Sequence, residues 1–285
     1  QKTAYEISTR DWSSDVCSSD LEAGGFIQLT GEVGTGKTTL VRSLLAREPS
    51  GVEIALILNP RVTVPEFLLT ICEELGIAVP EASRGSVKAL VDALSAHLLA
   101  AHAAGRRVAV LIDEAHLLER DVLEQVRLLT NLETPTRKLL QVILIGQPEL
   151  RELLAREDMR QVAQRITGRH HLEPLSPAET VAYVRHRLRV AGATREIFTP
   201  AALRELHRQG GGLPRLVNVI ADRALLGAFA NDRHEVSPKL VRAAAAEVSG
   251  EAPVTAWSLL PWAAAVATLA LCAAGGWWAW SRLAH

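Results

Sequence analysis

The stretch GEVGTGKTT, Gly31 to Thr39, constrains this chain more than any other. It follows a short β-type run, Phe26 to Thr30, and leads into an apolar-periodic segment, Leu40 to Arg47. Strand, glycine loop and helix, in that order, is the context in which backbone N–H groups turn inward around phosphate oxygens. Gly31, Gly36, Lys37 and Thr38 meet the spacing G-x-x-x-x-G-K-[ST]. The loop as a whole, with Glu32, Val33, Gly34, Thr35 and Thr39 between and beside them, is therefore expected to hold a nucleotide. Lys37 would neutralise β- and γ-phosphate charge, Thr38 would place its hydroxyl on Mg2+, and the helix N-terminus adds a favourable dipole.

Such a loop needs an acidic partner at the end of another strand, and RRVAVLIDEAH supplies it. Val108 to Ile112 is an unbroken aliphatic run, as expected of a strand buried on both faces. Asp113 then falls at its C-terminal edge, where open parallel sheets bind ligands. Asp113 would hold Mg2+ through water and Glu114 would polarise the attacking water, which makes ATP and Mg2+ the expected cofactors. His116 reads as a structural or sensing neighbour rather than a catalyst. A third strand, Leu139 to Ile145, precedes Gly146, Gln147 and Pro148. Gln147 is either a contact to the γ-phosphate and attacking water or a turn residue before the next helix.

From Ser176 onward the pattern is helix after helix. SPAE places Ser176 at an N-cap, Pro177 in the first turn and Glu179 three residues on. Thr199-Pro200 and Ser237-Pro238 repeat the signature. Between them, Gly210 to Gly212 break one helix and Pro214 restarts another, with Arg215 in its first turn.

A phosphate-loop α/β domain followed by a small helical lid, with Pro-Arg opening a lid helix, resembles an AAA+ ATPase. The resemblance is closest to the ExeA-type general secretion pathway protein A family. It rests on GGFIQLTGEVGTGKTTL, ALILNP, LIDEAHLL, EQVRLLTNLET, KLLQVILIGQPELRELL, QRITGRHHLEPL and GLPRLVNVIADRALLGAF, from about Gly24 to Val248. It implies an α/β fold whose parallel sheet has the order 5-1-4-3-2, with helices on both faces and an α-helical lid. It also implies that Arg215 reaches the nucleotide from the lid. Either Arg165 or Arg169, with Arg165 preferred, would act on a neighbouring subunit's nucleotide, which requires a homo-oligomer. The implied work is ATP hydrolysis in type II secretion, supporting secretin assembly and transport across peptidoglycan. Members carry several tens of residues before the phosphate loop, and commonly a peptidoglycan-binding region after a membrane span; neither is present in this sequence. Two other readings stand beside this one: a DNA-associated AAA+ ATPase of the transposition-helper kind, and a scaffold that binds ATP without useful turnover.

Composition weighs against the DNA-associated reading. A formal net charge of −1 over 285 residues gives no sign of a basic nucleic-acid surface. The three cysteines, Cys17, Cys72 and Cys272, are too scattered for a disulfide framework or a metal cluster, and fit a reducing compartment. Leu259 to Trp280 carries no charged residue, is long enough to cross a bilayer and has tryptophans towards both ends. It is expected to be a transmembrane helix, single-pass in a bacterial inner membrane. The basic residues around it barely set an orientation, but ATP chemistry requires the nucleotide domain to face the cytoplasm. Ala263, Ala267, Ala270 and Ala274 form a small-residue face for a membrane partner.

The first residues differ in kind from the rest. Asp11 to Leu21, and likewise Lys2 to Ile7, back-translate to strings resembling a common short-read sequencing adapter, so Trp12 and Cys17 carry no functional weight. The expected organisation is an adapter-like, disordered tail over 1–21 and a core over 22–175, its own N-terminal part missing. A lid over 176–248, a linker over 249–258 and a transmembrane helix over 259–281 complete it.

Overall fold

Three central strands form from mainly aliphatic and β-branched runs that bury side chains on both faces of a sheet. The edge strand Ile166–Leu172 instead carries Arg169, His170 and His171 and is only partly covered. The computed structural model describes residues 25–46, 51–134 and 138–250. The strands are β1 (Gly25–Gly31), β2 (Val52–Ile57), β3 (Arg107–Ile112), β4 (Leu140–Gly146) and β5 (Ile166–Leu172). Every neighbouring pair is parallel, in the order β2-β3-β4-β1-β5, which is the expected 5-1-4-3-2 read from the other edge. The central β1 and β4 are buried along their whole length, while the edge strand β2 is only partly covered.

Side-chain alternation along the strands divides the core in two. Ile27, Leu29, Ala109, Leu111, Ile143 and Ile145 pack with Leu40 and Val41 of α1 (Lys37–Leu45). Phe26, Val108, Val110, Val142 and Leu144 face the other way. There they meet α2 (Val64–Glu74), α3 (Val87–Ala103), α4 (Arg120–Leu129), α5 (Glu149–Ala155) and the one-turn α6 (Arg160–Ala163). Helices thus cover both faces, as expected. Cys72 is fully buried on the second face; burial pushes its thiol pKa up, so it behaves as a packing residue.

Beyond β5 come α7 (Pro177–Val190), α8 (Pro200–Gly210), α9 (Pro214–Ala230) and α10 (Pro238–Ser249), with a core of their own that includes Leu203, Leu206, Val217, Ile220 and Val241. The capping signatures behave unequally. Ser176 forms a full capping box with Glu179, and Thr199 accepts from the Ala202 N–H at 3.2 Å. Ser237 makes no capping bond through its side chain, so α10 starts on the fixed φ of Pro238 alone.

Two boundaries differ from expectation. Helix α1 begins at Lys37, not Leu40, because its first turn is polar and faces the loop instead of the core. Strand β4 is displaced by one residue, to Leu140–Gly146. The adapter-like tail, most of the linker and the apolar segment 259–281 lie outside the described residues. Among the described residues, no helix is long and apolar enough to cross a membrane.

Candidate nucleotide site

Parallel pairing brings three loops to one edge. Thr30 of β1 lies opposite Gly146 of β4, and Ile112 of β3 lies opposite Leu144. The residues that follow these strands therefore leave the sheet together at its C-terminal edge.

Within the glycine loop, Thr35 Oγ1 donates to the Glu32 carbonyl at 2.8 Å and tightens the turn. The buried Lys37 ammonium donates to the carbonyls of Gly31 (2.7 Å) and Glu32 (2.9 Å). Burial pulls its pKa below the ordinary lysine value, while Glu114, Asp113, Glu32 and Glu149 act in the opposite direction. This is a cation held short of full solvation, with acidic groups around it.

Thr38 Oγ1 donates to Asp113 Oδ2 at 2.7 Å, joining the start of α1 to the end of β3. The other oxygen, Oδ1, accepts from the Glu114 backbone N–H at 2.9 Å. Asp113 is 4% exposed, so both oxygens are fixed. Glu114 adopts φ 50° and ψ 36°, left-handed backbone that a non-glycine residue adopts only at a cost of order 1 kcal/mol. The kink turns its side chain away from the strand direction. Its Oε2 lies 3.5 Å from Gln147 Nε2 and 3.4 Å from His116 Nδ1.

From the lid, the backbone N–H of Arg215 donates to the Gly34 carbonyl at 3.2 Å. Gly34 has φ +85°, and a Cβ placed there would lie 2.9 Å from the Arg215 Cβ, so this position combines a glycine backbone with a close approach. Lys37, Thr38, Glu114, Gln147 and Arg215 line one open cleft of about 300 Å3, together with residues of the loop and Pro214.

Most of the expected site residues thus converge: Gly31 to Thr39, Asp113, Glu114, Gln147 and Arg215. Arg165 and Arg169 do not join them. Arg165 precedes β5, at the opposite edge of the sheet, and its Nη1 donates to the buried Thr130 Oγ1 at 3.2 Å. Arg169 sits within β5, exposed, with Nη2 on the Ala163 carbonyl at 3.1 Å. Neither guanidinium serves its own chain's loop.

The structure adds residues that sequence reasoning missed. Thr30, fully buried directly before the loop, accepts from Arg151 Nε at 3.0 Å and lies 3.0 Å from His171 Nδ1. The loop base is thereby tied to α5 and to the end of β5, next to the lid. A hydroxyl at the end of a buried strand was the available signal, since buried hydroxyls require partners.

A P-loop α/β fold with this strand order and site edge is of the AAA type. Residues 20–154 match the AAA domain family, so the chain carries an AAA domain. It is also 52% identical over 259 residues to General secretion pathway protein A of Aeromonas hydrophila, a match that takes in 91% of this chain and 47% of that protein. The chain therefore spans about half the length of this relative. Among solved structures it resembles the ORC2 protein of Aeropyrum pernix, with a TM-score of 0.61 and 21% identity over 85% of this chain and 66% of that one. It also resembles Cdc6p from Pyrobaculum aerophilum, with a TM-score of 0.63 and 20% identity over 86% and 65% of the two chains. Likeness at such identities concerns the fold alone.

Proposed function

We propose that this chain is the ATP-hydrolysing part of a membrane-anchored secretion ATPase. The observation that carries the proposal is the convergence of Lys37, Thr38, Glu114 and Arg215 on one cleft from three separate elements, with Asp113 bonded to Thr38 beside it. The residues fit magnesium: a hydroxyl and a carboxylate lie 2.7 Å apart beside a phosphate loop. Among the described residues no group of three or more acidic, histidine or cysteine side chains is arranged to hold a metal ion. Such a sparse oxygen set suits a cation that keeps most of its waters and binds substrate phosphates. Thr38 and Asp113 would hold Mg2+, which when bound would supply positive charge against the phosphates.

The chain's own residues then divide the work. Lys37 exchanges its two carbonyl partners for phosphate oxygens, and gains stabilisation because burial has left its ammonium poorly solvated. Glu114 orients the attacking water, Gln147 contacts that water and the γ-phosphate, and Arg215 closes the cleft from the lid. Arg165, in preference to Arg169, acts on a neighbouring subunit's nucleotide in a homo-oligomer; its place at the far sheet edge supports a role in trans. The relative of 52% identity supports the secretion setting, with the apolar segment 259–281 as inner-membrane anchor and the ATPase domain in the cytoplasm. A secretin-assembly partner and peptidoglycan belong to the same proposal.

The test is turnover and nucleotide affinity measured in parallel. Glu114→Gln is expected to keep ATP affinity and lose about 10²-fold or more in kcat, while Lys37→Ala loses both. Wild-type protein without Mg2+-dependent turnover defeats the hydrolysis reading. A strongly salt-dependent DNA shift would favour the DNA-associated alternative.

A further inference from the structure

His116 has no role in the scheme above, yet its side chain is more buried than that of Glu114 beside it. It follows the strained Glu114 in a single 3-10 turn, Ala115–Leu117. Its side chain is 11% exposed, against 39% for Glu114. The turn sits on the tip of β4: a Cβ at Gly146 would come within 3.3 Å of the His116 backbone nitrogen, so β4 ends in a residue small enough for the turn to rest there.

From this seat the ring reaches two groups on different elements. Nδ1 lies 3.4 Å from Glu114 Oε2 and Nε2 lies 3.3 Å from Gln147 Nε2. The direct approach of Gln147 Nε2 to Glu114 Oε2 is longer, at 3.5 Å. One neutral tautomer satisfies both ring contacts: Nδ1–H donates to the carboxylate, and the Nε2 lone pair accepts from the amide. The Gln147 backbone N–H also approaches Nδ1, at 3.5 Å, and this tautomer gives up that contact in favour of the carboxylate.

We infer that His116 is a positioning residue for hydrolysis, its ring joining Glu114 to Gln147 so that the two bear on the attacking water in a fixed mutual orientation. This rests on the reading of Glu114 as the water-orienting group. His116 touches neither phosphate nor metal in this role. Without the ring, Glu114 and Gln147 keep only their long direct contact, and the carboxylate swings on its side-chain torsions.

The experiment is a double-mutant cycle on the full chain, read as Mg2+-ATP turnover, ATP affinity and melting temperature. His116→Ala is expected to lower kcat by about 10- to 100-fold, the scale for outer-shell partners of a working group, with ATP affinity within about twofold. His116→Asn, whose amide nitrogen takes the place of Nδ1, restores part of the loss. In the Glu114→Gln background His116→Ala removes nothing further, because the group it positions is already disabled. A merely structural histidine would multiply with Glu114→Gln and lower the melting temperature in proportion. Should His116→Ala not fold, the cycle is run with His116→Asn and His116→Gln, where loss of kcat in Gln but not Asn supports the role and equal loss in both overturns it. Unchanged kcat in His116→Ala, or multiplying losses, overturns this inference while the Glu114 reading stands. Full turnover in Glu114→Gln, or none in the wild type, defeats the Glu114 reading and this inference with it.

Discussion

The two sides of the nucleotide cleft are held by different means. On the core side the phosphate and metal groups are tied down through their side chains: Lys37 to two carbonyls, Thr38 to Asp113, and Asp113 to the Glu114 N–H. Behind them stands a sheet whose central strands are fully buried. On the lid side, Arg215 touches the loop through its backbone, at 3.2 Å from Gly34, while its side chain is exposed. The lid has its own apolar core and a second backbone tie, Leu175 N–H to the Gly212 carbonyl at 2.9 Å. The phosphate and metal half is thus built before ligand arrives, whereas the arginine half is free to be placed by it. Preorganised dipoles and charges act most strongly when they need no rearrangement at the moment of reaction. The core half should therefore carry the larger share of the rate.

Asp113→Ala gives the largest effect by this logic. It strips Thr38 of its partner and removes the carboxylate of the metal site in one step. Turnover should fall by about 10³-fold or more, and ATP affinity should lose its dependence on Mg2+. Affinity titrations with and without Mg2+ check this. A variant that still binds more tightly with Mg2+ would show that the core half is not organised around Asp113. Arg215→Ala should be milder, about 10²-fold in kcat, with Mg2+-dependent affinity kept. If Arg215→Ala matched Asp113→Ala in both measures, the contrast between a fixed and a movable half would fail.

The same division explains what was legible in the sequence. The core half is written in local signals: a glycine loop between strand and helix, and an acidic pair after an aliphatic run. Asp113 could be matched to Thr38, 75 residues earlier, only because both motifs name their partner type. Contacts without such a motif were invisible. Arg151 and Thr30 are 121 residues apart, and His116 and Gln147 are 31 apart; only the sheet register brings them together. The start of α1 was misjudged because apolar spacing reports the buried face, and the first turn of that helix is occupied by the site. In the lid, Ser or Thr before Pro marked three of the four helix starts, yet nothing in those residues showed that Ser237 would leave its capping bond unmade.

A smaller test sharpens the comparison from the lid side alone. Glu205 of α8 accepts from Arg208 Nη2 at 2.6 Å and from Gln209 Nε2 at 2.9 Å, with Arg242 of α10 at 4.0 Å. Arg208 first, then Gln209, hold its pKa down to about 2, against an ordinary 4.5. A carboxylate depressed on folding contributes stability that is complete above its unfolded pKa and is lost as pH falls through the folded value. The contribution should therefore be full above about pH 5 and fade between there and pH 2. The pairs lie wholly among lid helices, so the effect belongs to the lid. Glu205→Gln should lower the melting temperature at pH 6 by a few degrees and flatten its decline between pH 5 and pH 3, with nucleotide affinity at pH 7 unchanged. Equal acid slopes in variant and wild type would mean that the Glu205 cluster does not hold the lid together. A fall in nucleotide affinity at pH 7 would mean that lid stability and the core half of the site are coupled more tightly than two backbone hydrogen bonds imply.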